Sequence, residues 1–349
     1  MLRKGTFILM KTKIQDMTSG SPGRLIILFA IPLMLGNICQ QLYTMVDTMV
    51  VGQVVGVEAL AALGAVDFLM WVVTGISTGL TQGFSIQLSQ YYGAKDFENL
   101  RKSLAHSYRL TAFIAAGVLI LSQSFASLVL TGLHTPSNII GMSLLYLRII
   151  FCGIPATAAY NMFASALRAM GNSKTPLTAM IIASVLNVSL DILFVAGFGW
   201  GVAGAAIATV IAQSFSAVYC FLILRRIDIV HLTRADFMPA SGMNARLMKL
   251  GIPVVFQNII IGVGGLVVQY VINGYGFLFV AGFTATNKLY GLLEMAAISY
   301  GYAIVTYVGQ NLGAGKIDRI RKGVRSSMLL SLLTSLIISA AMFLFGKNI

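Results

Sequence analysis

Hydrophobic residues recur along this chain in blocks separated by short polar segments. Most blocks are about 20 to 30 residues long, enough to cross a ~30 Å hydrocarbon core as an α-helix, whereas strands of a membrane barrel would be ~10 residues long. Prolines within three blocks predict kinks, because proline removes a backbone hydrogen bond inside a helix; these are Pro32, Pro155 and Pro253. The pattern predicts membrane-spanning helices at residues 24–51, 58–92, 106–130, 138–166, 178–197, 202–224, 246–272, 278–312 and 321–346.

Composition agrees with this pattern. The chain is 57% hydrophobic and only 10% charged, whereas soluble domains carry about 25% charged residues. Nearly all of its 24 Lys and Arg residues fall in the N-terminal segment and in alternate loops. By the positive-inside rule, these loops and the N-terminus face the cytoplasm. We therefore expect an all-α, multi-pass protein of the plasma membrane, the inner membrane of a bacterial cell, embedded in lipid and without a nucleic-acid partner.

An internal repeat predicts how the helices are arranged. Gln90–Ser107 reads QYYGAKDFENLRKSLAHS and Gln310–Ser327 reads QNLGAGKIDRIRKGVRSS, while Ile31-Pro32 corresponds to Ile252-Pro253. The first copy contains six predicted helices, so both copies should have the same, parallel orientation and form two lobes. The expected segments are a cytoplasmic N-terminal segment (1–23), a six-helix lobe (24–224), a cytoplasmic inter-lobe linker (225–245) and the first three helices of an incomplete second lobe (246–349).

Glycine patterns in the chain indicate packing. Gly75, Gly79 and Gly83 lie four residues apart, and this spacing predicts a smooth helix face that another helix can approach closely. The stretch 199–204 matches G-x-G-x-x-G, but it joins two predicted spanning helices and is better explained as a tight turn than as a dinucleotide site.

Motifs for ATP phosphates or catalytic zinc are not found in the sequence. It also shows no convergent nucleophile, base or metal site, so we expect neither an enzyme nor an ATP-driven pump. Secondary transport is favoured because it needs only an ion gradient.

Six ionisable residues lie inside predicted helices: Asp47, Asp67, Arg148, Asp191, Lys288 and Glu294. A lone acid at the bilayer centre costs ~2.5–3.5 kcal/mol on insertion scales, so such residues are usually paired or functional. Asn187 and Asp191 are four residues apart and share a helix face. With Asp47 and the Thr209 hydroxyl, they could bind a small cation such as Na⁺ or share a proton. The alternative is that they only hydrogen-bond neighbouring helices.

Several longer stretches resemble the multidrug and toxic compound extrusion (MATE) transporters over residues 18–349. They are TSGSPGRLIILFAIPLMLGNICQQLYTMVDTMVVG, the QYYGAKD and QNLGAGK pair, YLRIIFCGIPATAAYNMFASALRAMGNSKTP and SVLNVSLDILFV. The resemblance implies twelve helices in two lobes around an outward-facing cavity. It also implies a cofactor-free antiporter that exports diverse, often cationic compounds in exchange for Na⁺ or H⁺. With nine helices predicted, the chain is expected to be truncated after nine of twelve.

The resemblance also implies roles for individual residues. The cation-coupling site falls on Asp47, Asn187, Asp191 and Thr209, with Na⁺ possible at the first three. Tyr146 and Asn161 line the same pocket, and Pro32 matches a proline whose bend is linked to coupling. Glu294 and Lys288 form a possible second-lobe polar site.

These observations predict a secondary active multidrug efflux antiporter, acting as a monomer on drugs or toxic organic cations. Two alternatives remain open. The first is a flippase for a lipid-linked saccharide in the same superfamily, which would need a basic cavity. The second is a truncated product without transport function.

Overall fold

The computed structural model describes residues 14–132, 135–273 and 277–345. Within these ranges, its description leaves out the side chains of Phe68, Leu266, Gln269, Tyr270, Ile272, Asn273, residues 277–290, Leu292, Leu293, Ala341, Met342 and Phe345. All regular structure in the described ranges is helical.

The α-helices of the described part are α1 (Pro22–Val54), α2 (Val57–Gly93), α3 (Phe97–Gly132), α4 (Ile140–Cys152), α5 (Ile154–Ala169), α6 (Lys174–Asp191), α7 (Gly201–Leu224), α8 (Met243–Asn273), α9 (Phe277–Gly313) and α10 (Ile317–Phe345). A π-helical turn, Ile192–Gly197, extends α6. Two 3₁₀ turns, Asp228–Val230 and Arg234–Phe237, lie between α7 and α8.

Six of these helices are long and apolar enough to cross a membrane. Two bent pairs, Val57–Asp67 with Leu69–Gly93 and Ile140–Cys152 with Ile154–Ala169, bring the number to as many as eight among the described residues. The prediction of an all-helical, multi-pass membrane protein is confirmed at this level.

The predicted helix 138–166 is two helices, α4 and α5, bent by 46° at Gly153. Pro155 lies in the first turn of α5, where a backbone N–H would have no helical partner in any case. The kink predicted at Pro155 is thus confirmed. By contrast, α1 continues through Pro32 and α8 continues through Pro253 without interruption.

The start of α3 corrects another expectation. The predicted helix 106–130 left the segment directly after α2 outside any spanning helix. Instead it is the first part of α3, and Leu100 and Leu104 are each only 1% exposed because they pack in the protein core.

The glycine seam of α2 packs against α8, as predicted. A Cβ atom on Gly79 would lie 2.9 Å from the backbone of Val255, and one on Gly83 would collide with Gly251. Asn258 of α8 donates a hydrogen bond to the Gly75 carbonyl at 3.1 Å. The α2 and α8 backbones can therefore approach this closely only because the seam consists of glycines, which have no side chain.

The corresponding contact joins α1 and α9. Ser299 and Ala303, which match Gly79 and Gly83 in the repeat, are fully buried on α9. Asn37 of α1 donates to the Ser299 hydroxyl at 3.2 Å.

The 199–204 stretch forms the predicted tight turn, with positive φ at Gly199 and Gly201.

The repeated glutamine-glycine motif forms a crossing between α2 and α9. A Cβ on Gly93 would collide with the backbone of Gln310, and one on Gly313 would collide with the Gln90 carbonyl. The two helices approach this closely only because glycine occupies both positions. This crossing lies at the end of the molecule that carries the basic loops.

Residues 15–18, the N-terminal strap, close the same end. The backbone N–H of Gln15 donates to the Gly171 carbonyl at 3.1 Å, and the backbone N–H of Met17 donates to Gln310 Oε1 at 3.0 Å. Gln310 Nε2 in turn donates to the Ala169 carbonyl at 2.8 Å. The strap thereby ties the loop after α5 to the end of α9.

Candidate functional site

A cavity of about 440 Å³ lies between α1, α2, α4, α5, α7 and α9. Four of the residues predicted to bind or line the cation site face it: Asp47, Tyr146, Asn161 and Thr209. The repeat-related contacts of α1 and α2 with α9 bring the second half of the chain to its wall. The structure therefore brings these sequence-predicted residues together in one space.

The acidic part of the site is buried. Asp47 is 5% exposed, and Asn187 and Asp191 are fully buried behind it. Within the described part of the chain, Asp47 Oδ1, Asn187 Oδ1 and both carboxylate oxygens of Asp191 have no hydrogen-bond partner. Asn187 Nδ2 donates to the Thr209 hydroxyl at 3.4 Å.

Buried oxygens without donors are costly, and a proton or cation would offset that cost. They are also the hard ligands that small cations prefer. The donor set therefore fits either a proton or Na⁺. Among the described residues, no cluster of three or more His, Cys, Asp and Glu side chains forms a metal site; a Na⁺ ion would need the amide and hydroxyl oxygens as well.

The end of α6 gives Asp191 its position. Asn187 and Asp191 lie one turn apart on the buried face, as their spacing predicts. The π-helical turn begins at the next residue, Ile192. The helix geometry therefore changes directly beside the buried acid. Such turns are frequent at functional sites.

Aromatic and amide groups surround the acids. Tyr146 is buried and lines the cavity together with Asp47 and Asp67. Gln213 donates to the Tyr43 hydroxyl at 3.2 Å, and Asn161 of α5 donates to the Thr78 hydroxyl at 3.2 Å. These hydrogen bonds link α1 to α7 and α2 to α5 around the cavity.

Sequence reasoning assigned no site role to Asp67 or Arg168, although both line the cavity. The predicted helix 138–166 ended before Arg168, but Arg168 lies in the last turn of α5. Its guanidinium carbon is 4.8 Å from the ring centroid of Tyr302 on α9. The signal was in the spacing, since Arg168 follows Asn161 by seven residues and therefore shares its helix face.

Other predicted residues lie elsewhere. Glu294 is an exposed residue of α9 and does not line this cavity, and the side chain of Lys288 lies outside the described residues. Arg148, one of the six ionisable residues inside predicted helices, is exposed and forms no ion pair within the described part. Pro32 is buried in α1, fifteen residues before Asp47, a rise of roughly 22 Å.

Comparison with known proteins decides the family. A model of the MatE family matches residues 32–193 and 253–349. The chain belongs to the MatE family. Proteins of this family are transporters, so the prediction that the chain is not an enzyme is confirmed, as is the expected resemblance to MATE transporters.

Among MatE relatives, the probable multidrug resistance protein YpnP of Bacillus subtilis is 32% identical over 88% of this chain and 69% of its own length. YoeA of the same organism, also a probable multidrug resistance protein, is 27% identical over 96% of this chain and 74% of its own length. The two-lobe layout and the truncation stay predictions.

The structure of a MOP superfamily transporter from Pyrococcus furiosus matches with a TM-score of 0.91 at 23% identity. The match covers 97% of this chain and 75% of that one. This likeness supports the MatE fold of the chain.

Proposed function

We propose that this MatE protein exports cationic or amphiphilic small molecules in exchange for Na⁺ or H⁺, with its basic loops in the cytoplasm. The observation that carries the proposal is the cavity lined by Asp47 and Asp67, with Asp191 buried behind it. Relatives described as probable multidrug resistance proteins support the export of drugs.

The cavity suits a cationic, partly aromatic substrate. Its volume of about 440 Å³ falls in the ~300–1,000 Å³ range of small-molecule sites. Tyr43 and Trp71 line it together with the acids, and aromatic faces attract organic cations. A lipid pyrophosphate would instead need several basic groups, whereas Arg168 is the basic residue among the described lining residues. The flippase alternative is therefore less favoured.

Exchange requires that the ion and the substrate prefer different conformations. In our proposal the coupling ion binds Asp47, Asn187 and Asp191 and draws α1 toward α6, and the organic cation is then released from the shared cavity. Closure at the other end comes from the α2–α9 crossing and the N-terminal strap. Pro32 removes a backbone hydrogen bond from α1 fifteen residues before Asp47. Bending of α1 there would transmit the movement caused by ion binding to the rest of the helix.

The test is transport by acid-neutralised variants. Asp47→Asn and Asp191→Asn should abolish drug resistance in an efflux-deficient host while both proteins reach the membrane in normal amounts. The matched control is Asp228→Asn, which neutralises an exposed acid between α7 and α8. In proteoliposomes, drug efflux driven separately by a Na⁺ gradient and by a pH gradient identifies the ion. Full resistance in both site variants would refute the assignment.

A further inference from the structure

A second cavity lies on the lateral surface of the helix bundle, away from Asp47, Asp67 and Asp191. It is an apolar groove of about 360 Å³ between α3 and α5, with Phe221 of α7 at one end. Five of its twelve lining residues are alanine, including Ala112 and Ala159. Phe113 and Ile120 beside it on α3 are 73% and 64% exposed. This face of α3 is therefore directed toward the hydrocarbon core.

The groove continues into a pocket of about 250 Å³, which shares Tyr108 and Phe221 with it. Arg225 and His231 line this pocket, and its described lining contains neither Asp nor Glu. The Arg225 guanidinium carbon lies 5.6 Å from the Phe221 ring centroid. The groove thus ends in a basic mouth.

Neighbouring charges reinforce that mouth. Arg109 is exposed and donates to the Phe237 carbonyl at 3.0 Å on the same rim. The nearby acid Asp236 is buried and already engaged, by Thr233 at 2.7 Å and by Arg101 at 3.7 Å. It therefore does little to neutralise Arg225 and His231, while Asp228 is solvated.

We propose that the groove binds an anionic glycerophospholipid, with its phosphate at Arg225 and His231 and an acyl chain along α3 and α5. The groove runs from Tyr108 to Leu119, eleven residues or roughly 16 Å of helix rise. That length is about half of a ~30 Å hydrocarbon core, so it spans one leaflet. The proposal rests on membrane insertion and charge complementarity, and it is independent of the exported substrate.

The experiment is native mass spectrometry of the purified chain in micelles containing equal amounts of phosphatidylglycerol and phosphatidylcholine with identical acyl chains. We expect phosphatidylglycerol to be retained preferentially. Each Lys or Arg near an anionic headgroup is worth about a fivefold change in binding. Arg225→Gln combined with His231→Gln should therefore reduce retention by at least about fivefold. Ala112→Phe, at an exposed position in the groove wall, should reduce retention by filling the groove.

The matched control is Arg321→Gln with Lys322→Gln, which removes two exposed charges from α10 at the same end of the molecule. It should leave phosphatidylglycerol retention unchanged. Equal retention of both lipids, equal loss in the control, or an unaffected Ala112→Phe variant would each overturn the proposal. Displacement of neutral lipid by an amphiphilic drug, with no phosphatidylglycerol preference, would overturn it in favour of a drug portal.

Discussion

Gly93 at the α2–α9 crossing allows a direct test of the packing. In Gly93→Ala, the new Cβ would collide with the carbonyl oxygen of Gln310 and lie 2.5 Å from its Cα and carbonyl carbon. Carbon atoms in ordinary contact are about 3.5 Å apart, so the two helices must separate by at least about 1 Å. All of these contact atoms belong to the backbone and cannot rotate away. Overpacking of this kind costs about 1–3 kcal/mol.

Gly132→Ala is the matched control, because Gly132 also ends its helix and a Cβ there would meet nothing within 4 Å. Alanine has a higher helix propensity than glycine, by up to about 1 kcal/mol, and this gain applies to both variants. The difference in their unfolding free energies therefore isolates the contact. Denaturant unfolding in detergent, followed by circular dichroism, measures it.

The repeat supplies a second arm of the same experiment. Gly313→Ala should also destabilise the protein, because its Cβ would meet the Gln90 backbone. The double variant should cost less than the sum of the two, since helices already separated by one Cβ accommodate the other more easily. If Gly93→Ala were as stable as Gly132→Ala, the crossing would not be tightly packed and the reasoning would be wrong.

Two further predictions concern the end that carries the basic loops. Gln310→Ala leaves the Met17 amide and the Ala169 carbonyl without partners; we expect a loss of about 1–3 kcal/mol for each buried group, measured by denaturant unfolding. Burial raises the pKa of Asp236, but hydrogen bonds from Thr233 and the nearby Arg101 outweigh burial and hold the pKa below its usual 3.8. Its stabilisation of the 3₁₀ turn is complete above the unfolded pKa and is lost as pH falls through the folded value. Hydrogen exchange of residues 233–238 should therefore accelerate, relative to other loops, only in strong acid, and Asp236→Asn should remove this pH dependence.

Periodicity predicted the fold well because bilayer thickness limits the length of each apolar block. It failed where polar residues belong to a helix. The amphipathic start of α3 fell outside the predicted helix 106–130, because its charges hid the buried positions Leu100 and Leu104. For the break at Gly153, the sequence indicated only a kink near Pro155. The size of the bend, 46°, depends on how α4 and α5 pack.

The acids of the site were predictable because charge inside an apolar block is rare and costly. The role of Arg168 was not predictable, since the positive-inside rule already explains a basic residue near the cytoplasmic end of a helix. Its contact with Tyr302 joins residues 134 positions apart, and nothing local in the sequence specifies that pairing. Groups at helix ends thus need the tertiary structure before they can be assigned to the site.

The repeat separates architecture from chemistry in this chain. Asn37 and Asn258 occupy corresponding positions, and each donates across to a small-residue seam on the other half. Gly93 and Gly313 likewise cross reciprocally. Asp47 has no such counterpart, because the corresponding stretch, 267–269, carries two valines and a glutamine. Substitutions at the paired positions should therefore change stability in both halves, whereas neutralising the acid should change the response to ions and leave the packing intact.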